Sequence, residues 1–186
     1  MKIIGGKFKG KKLVLPKDKK TRPLKSIVKE SIFNLIQHSN KFNVKVENSY
    51  ILDLFAGSGS FGLECISRNA KIVYFLENYS EALKVLKKNI SYLKSSGRSK
   101  IIEEDCFDFF DSKKSLIYRF DIIFFDPPYK ELKINNLIEK IIKNKFLKPN
   151  GIIIIHRHKK DIIELTKKLK ILDIRDYGIS KIIIGN

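Results

Sequence analysis

An acid, two prolines and an aromatic residue, Asp126-Pro127-Pro128-Tyr129, come directly off the apolar run Phe120-Asp121-Ile122-Ile123-Phe124-Phe125. Those residue types in that order suit chemistry on a flat, amine-bearing group. A planar base can stack on Tyr129 while its amino group donates to Asp126 and to a backbone carbonyl left open by a proline, which has no N–H. Taken alone, the four residues also fit a turn that closes a strand, because proline pairs are common loop punctuation.

A second cluster lies about seventy residues earlier. The short apolar run Tyr50-Ile51-Leu52-Asp53-Leu54-Phe55 leads into Ala56-Gly57-Ser58-Gly59-Ser60-Phe61-Gly62 and then into a helical pattern at Leu63, Ile66 and Ala70. Glycines there let the chain turn sharply and approach a ligand closely. Gly57-x-Gly59-x-x-Gly62 fits a dinucleotide fingerprint, with Glu77 at a suitable distance after Ile72-Val73-Tyr74-Phe75-Leu76. It fits a plain strand-to-helix turn equally well. Asp53 tips the balance, since an acid four residues before the first glycine meets a cationic or hydrogen-bonding ligand better than a pyrophosphate.

Asp53-Leu54-Phe55-Ala56-Gly57-Ser58-Gly59, Glu77, Asp105 and the Asp126 tetrapeptide, in that order, resemble the S-adenosylmethionine-dependent methyltransferases of the Rossmann-like class. The opening Met1-Lys2-Ile3-Ile4-Gly5-Gly6-Lys7-Phe8-Lys9-Gly10-Lys11-Lys12-Leu13, followed by Thr21-Arg22-Pro23, Val28-Lys29-Glu30 and Phe33-Asn34, is similar more narrowly to the RsmD-type bacterial methyltransferases. That family methylates a guanine N2 in small-subunit ribosomal RNA. The resemblance implies S-adenosyl-L-methionine as cofactor, held by Asp53, Phe55, Gly57, Gly59, Glu77, Asp105 and Cys106. In it Glu77 accepts from the ribose hydroxyls and Asp105 from the adenine amine, with the backbone of Cys106 or Phe107 alongside. For Asp105 a helix N-cap is the competing role. It further implies Asp126, Pro127 and Tyr129 as catalytic residues, needs no metal, and points to ribosomal RNA or an assembled small subunit as partner. An adenine-N6 methyltransferase using the same tetrapeptide, a ribosome-assembly factor without turnover and, more remotely, a nicotinamide dehydrogenase are the alternatives.

Composition agrees with that reading. The 186 residues suit one catalytic domain acting as a monomer, and 38 Lys and Arg against 20 Asp and Glu give a net charge of +18 that draws in a polyanion. Up to residue 25 the bases outnumber a single acid, Asp18. The segment 1–23 is therefore expected to be a basic hairpin arm in which Lys7, Lys9, Lys11, Lys12, Lys20 and Arg22 track phosphates outside the cofactor pocket, with 24–186 as the methyltransferase domain. A basic surface at Arg157, Lys159 and Lys160 is the other candidate for RNA contact. No run is long enough to span a bilayer, and the start lacks a secretory apolar core, which reads as cytoplasmic. Cys65 and Cys106 lack any disulfide or zinc pattern and read as small buried hydrophobes. His156 and His158 read as a solvent-facing basic pair, although His156 lies where it can line a base pocket.

Strand and helix patterns alternate to position these residues. Strands are expected at 50–55, 71–77, 101–104, 120–126, 151–157, 171–177 and 179–184. Helices are expected between them, near 80–93, 132–143 and 160–169 among others. Such alternation predicts an α/β fold with a mainly parallel, seven-stranded sheet of the Rossmann-like class I methyltransferase type. Gly178 should close a C-terminal hairpin and leave one antiparallel strand at the sheet edge. Asp53, Glu77, Asp105 and Asp126 then all fall at carboxyl ends of strands, where such sheets bind ligands.

Overall fold

A computed structural model of the chain describes residues 1–18, 24–111, 119–128, 131, 133–161 and 164–186. Seven strands, β1 Tyr50–Leu54, β2 Ile72–Leu76, β3 Ser99–Ile102, β4 Phe120–Phe125, β5 Leu147–His158, β6 Ile171–Tyr177 and β7 Ser180–Gly185, form one sheet in the order β3-β2-β1-β4-β5-β7-β6. The first five run parallel, and β7 is antiparallel to both its neighbours. Order reverses beside β1, which sets the crevice at its carboxyl end.

Period-2 alternation sends the strand side chains into two cores. Ile51, Val73, Phe75, Ile122, Phe124, Ile152 and Ile154 face α1 (Ser26–His38), α2 (Ser60–Ser67) and α3 (Ser80–Tyr92). Leu52, Leu54, Leu76, Ile123, Phe125, Ile153 and Ile155 face α4 (Cys106–Asp111) and α5 (Ile134–Lys143). Because both faces are covered, the central strands read as unbroken apolar runs. Phe33, Phe61 and Phe124 stack in series through the first core, with ring centroids 5.3 and 4.0 Å apart.

Two expectations need correction. The antiparallel strand is not at the edge: β7 inserts between β5 and β6, and β6 is outermost. Burial decides this, since Ile182, Ile183 and Ile184 of β7 are buried whereas β6 exposes Ile171 and Ile174. Among the described residues there is no helix over 160–169. Instead Asn135 of α5 donates to the Glu164 carbonyl at 2.8 Å and accepts from the Thr166 N–H at 2.9 Å, while Thr166 and Lys168 bond Glu139. These side chains satisfy backbone groups that a helix would have paired internally.

The N-terminal segment is a packed hairpin. Ile3 and Lys11 pair through the Ile3 N–H at 2.9 Å, the Leu13 N–H donates to the Met1 carbonyl, and Ile3 and Leu13 are buried in the first core. Its anchor is Glu64, fully buried in α2. Glu64 accepts from the Ile4 and Gly5 N–H groups at 2.8 Å each, pairs with fully buried Lys29 at 3.1 Å, and receives Arg68 Nε at 3.0 Å. Lys29 also donates to the Lys2 carbonyl at 3.0 Å. Burial pushes the Lys29 ammonium below its ordinary pKa, and Glu64 pulls it back up. Gly6 has φ +71°, and a Cβ there would lie 1.9 Å from the Ser67 carbonyl oxygen, so only glycine allows this approach.

Removing one partner of a buried ion pair leaves the other charge uncompensated. Glu64→Ala should therefore lower the unfolding free energy by about 3–5 kcal/mol in urea titration and speed amide exchange at Ile4 and Gly5. A loss of only about 0.5 kcal/mol, the scale of an ordinary surface substitution, would contradict this account of the anchor.

Candidate active site

A cleft of about 600 Å³ opens at the carboxyl ends of β1, β2 and β4. Parallel register places it there. Leu54 lies level with Leu76 and Phe125, and Phe125 is level with Ile155, so the next residues, Phe55, Glu77, Asp126 and His156, emerge together. All four line the cleft, joined by Asp53, Gly57, Ser58, Asp105, Phe107, Pro127 and Pro128.

The loop after β1 folds tightly. Phe55, Gly57 and Gly59 all have positive φ, at 60°, 56° and 80°. A phenylalanine held in that region stores of order 1–3 kcal/mol of strain, and Phe55 forms cleft wall. Each glycine answers a different demand. Gly57 has room for a Cβ, which would meet only the Phe55 carbonyl oxygen at 4.0 Å, so its demand is the positive φ; Gly59 would drive a Cβ to 2.5 Å from Leu86, and Gly62 would drive one to 2.3 Å from the Phe75 ring. Gly57 lines the cleft, whereas Gly59 serves the turn and lies off the cleft wall.

Carboxylates organise the rest. Glu77 accepts from the Gly57 N–H at 2.7 Å, the Asn78 N–H at 3.0 Å and the Tyr79 N–H at 2.9 Å, which ties the glycine loop to the end of β2. Asp105 caps α4 by accepting from the Phe107 N–H at 2.8 Å, and its other oxygen accepts from Asn78 Nδ2 at 2.9 Å. Asp105 is therefore both an N-cap and a cleft residue. Asp53 is buried and accepts from the Gly62 N–H at 2.9 Å. Burial first, then the charges of Asp126 and Glu77, raise its pKa well above the usual carboxylate range, while the Gly62 bond opposes them. A cation entering the cleft reverses that mutual repulsion, and the loop 55–62 carries no basic side chain to favour a pyrophosphate. The cleft thus favours a cationic ligand over a pyrophosphate.

Asp126 has a partner that the linear sequence did not show. His156 Nδ1 lies 2.7 Å from Asp126 Oδ1, and His156 Nε2 lies 2.9 Å from Ser180 Oγ. The expected solvent-facing pair is thus wrong for His156, which is buried, though it does line the pocket. Arg157 is buried too and supplies no open basic surface. It pairs with Asp161 and donates to the Pro128 carbonyl at 3.1 Å, bracing the proline pair from behind. The signal available in sequence was indirect, a His-Arg-His triplet closing a run of four isoleucines.

Other expected residues fall as follows. Cys106 is buried against the second core and does not line the cleft, with its thiol pKa pushed up by desolvation. Lys7, Lys9, Lys11 and Lys12 are exposed on the hairpin, and Lys11 lies over the rings of Phe8 and Tyr92. Tyr129, Lys20 and Arg22 lie outside the described residues. The segment after the hairpin, expected outside the pocket, walls it: Leu15, Pro16 and Asp18 line the cleft, and Asp18 accepts from the Tyr79 hydroxyl at 2.9 Å. Asn89 holds that segment in place, bonding both the N–H and the carbonyl of Val14 and donating to the Ser58 carbonyl at 3.0 Å.

Fold and cleft together define the class, a Rossmann-like methyltransferase. A family model described as "Conserved hypothetical protein 95" matches residues 1–186. Among curated relatives, Ribosomal RNA small subunit methyltransferase D of Haemophilus influenzae is 36% identical over 160 residues, covering 86% of this chain and 79% of that protein. A putative rRNA methyltransferase of Bacillus subtilis is 30% identical over 185 residues, covering 99% and 97%. The crystal structure of a putative methylase from Haemophilus influenzae superposes with a TM-score of 0.76 at 32% identity, over 99% of this chain and 96% of that one. The chain belongs to the Conserved hypothetical protein 95 family, the RsmD-type methyltransferases.

Glu77→Ala should weaken binding of S-adenosylhomocysteine by about 1.5–3 kcal/mol, the scale of hydrogen bonds to a charged group. Isothermal calorimetry reads this directly, and unchanged affinity would contradict a role for Glu77 in binding it.

Proposed function

We propose that this protein transfers a methyl group from S-adenosylmethionine to the exocyclic N2 of a guanine in small-subunit ribosomal RNA. The observation that carries the reading is the Asp126 carboxylate, set by strand register into the same cleft as Glu77 and the glycine loop. The names of the curated relatives support the RNA substrate.

In this reading Glu77 and Asp105 hold the adenosine end of the cofactor, and Phe55, Gly57 and Asp53 border its methionine end. Bound there, S-adenosylmethionine supplies an electrophilic methyl group on a sulfonium. Activation must therefore fall on the guanine amine, a poor nucleophile because its lone pair is delocalised into the ring. Asp126 and the Pro127 carbonyl accept the two amine hydrogens, which draws the nitrogen toward tetrahedral geometry and frees its lone pair. Orientation of this kind supplies several kcal/mol, up to about 7–11 in ideal cases. Tyr129, by residue type, stacks on the base for roughly 1–3 kcal/mol. Asp126 or water takes the released proton.

The exposed Lys7, Lys9, Lys11 and Lys12 form the RNA-facing arm of this reading, and the protein acts on ribosomal RNA in the cytoplasm as a monomer. Since the arm is packed onto α2 and the segment after it lines the cleft, RNA bound there is guided directly to Asp126.

Incubation with methyl-labelled donor and, separately, unmodified small subunits, naked ribosomal RNA and DNA, followed by nucleoside analysis, tests the proposal. Labelled N2-methylguanosine from small subunits or their RNA is expected. Label in N6-methyladenine, or in no RNA at all, would overturn it.

A further inference from the structure

Among the described residues, Asp126 is pinned from one side only. His156 Nδ1 sits 2.7 Å from Oδ1, a distance typical of a charge-assisted bond, while about a fifth of the Asp126 side chain stays exposed to the cleft. A carboxylate at the mouth of a loop otherwise turns freely about a broad terminal torsion. Ser180, buried at the start of β7, fixes the ring in turn through Nε2 at 2.9 Å. Asp126 directly follows β4, and the other two groups lie in the adjacent strands β5 and β7, so the sheet holds their spacing.

We propose that His156, braced by Ser180, is the positioning residue of methyl transfer, holding Asp126 so that its second oxygen meets the target amine. This rests on the reading of Asp126 as the amine acceptor. The tautomer follows from the donor inventory. A carboxylate only accepts, so Nδ1 carries the proton, and in the neutral ring Nε2 accepts from the Ser180 hydroxyl. His156 gives a hydrogen bond and keeps its proton throughout; the proton shed by the amine goes to Asp126 Oδ2 or to water. This arrangement divides the carboxylate's labour, with Oδ1 committed to the scaffold and Oδ2 to the substrate. It also depends on β7 lying beside β5, because at the sheet edge β7 could not bring Ser180 behind the ring.

The test compares His156→Ala, His156→Asn and Ser180→Ala with the parent in single-turnover methyl transfer, S-adenosylhomocysteine affinity, thermal midpoint and, in the ligand-free protein, histidine ¹⁵N spectra. His156→Ala should slow transfer by about 10²-fold, the cost of misplacing a reacting group by an ångström, with ligand affinity close to the parent and a lowered midpoint from the cavity and the unpaired Ser180 hydroxyl. His156→Asn puts an amide N–H where Nδ1–H was and should restore most of that loss. Spectra at a pH where the ring is neutral should show a protonated Nδ1 and a bare Nε2. A parental rate in His156→Ala, equal rates for folded His156→Asn and His156→Ala, or a neutral ring with bare Nδ1 would each overturn the proposal. Should His156→Ala fail to fold, the asparagine variant, Ser180→Ala and the spectra decide: parental transfer in Ser180→Ala with a free-rotating ring refutes the brace. Asp126→Ala in the same assay separates the two levels. Its activity at the parental rate removes the acceptor reading, whereas an inactive Asp126→Ala beside a parental His156→Ala removes only the positioning role.

Discussion

Parallel register among β2, β1, β4 and β5 is the constraint on which everything else depends. Leu76, Leu54, Phe125 and Ile155 lie level across the sheet, so the four residues that follow them emerge at one edge and meet in one cleft. A slip of one residue in any pair would turn that strand's apolar side chains to the wrong face and withdraw a functional group at the same time. Packing and function are thus enforced by the same contacts. Both faces of the sheet are covered, so the cost of a slip falls on two cores together.

The second constraint is the buried acid of α2. Glu64 holds the N-terminal hairpin through two backbone N–H groups and neutralises Lys29, and Asn89 continues the attachment by clasping Val14 to the glycine loop at Ser58. A basic hairpin fastened this way is part of the catalytic body. Its lysines stand at a fixed offset from the cleft, and the chain that leaves it becomes cleft wall at Leu15, Pro16 and Asp18.

Much of this was legible in the sequence because it is local. Alternating apolar runs gave the five parallel strands within a residue or two at most ends, and the glycine spacing and Asp126-Pro127-Pro128 marked the two halves of the cleft. What stayed hidden depends on distant partners. A histidine after four isoleucines reads alike whether it meets water or an acid thirty residues away, so His156 was misjudged. Nothing near Glu64 in the chain shows that it accepts from amides some sixty positions earlier. Gly178 marks a hairpin equally for either strand order, and only the contrast between buried β7 and exposed β6 places β7 inside. The strand and helix alternation predicts a helix near 160–169, but the hydrogen-bonding side chains of α5 set another course.

The central claim is that Asp126 acts on the amine and not on the cofactor. Asp126→Ala, assayed by calorimetry for S-adenosylhomocysteine and by single-turnover methyl transfer, separates the two most directly. The account predicts nearly unchanged cofactor affinity with transfer slowed by about 10²–10⁴-fold, the range for losing one oriented polar catalyst. Transfer at the parental rate, or a loss explained wholly by weaker cofactor binding, would contradict it.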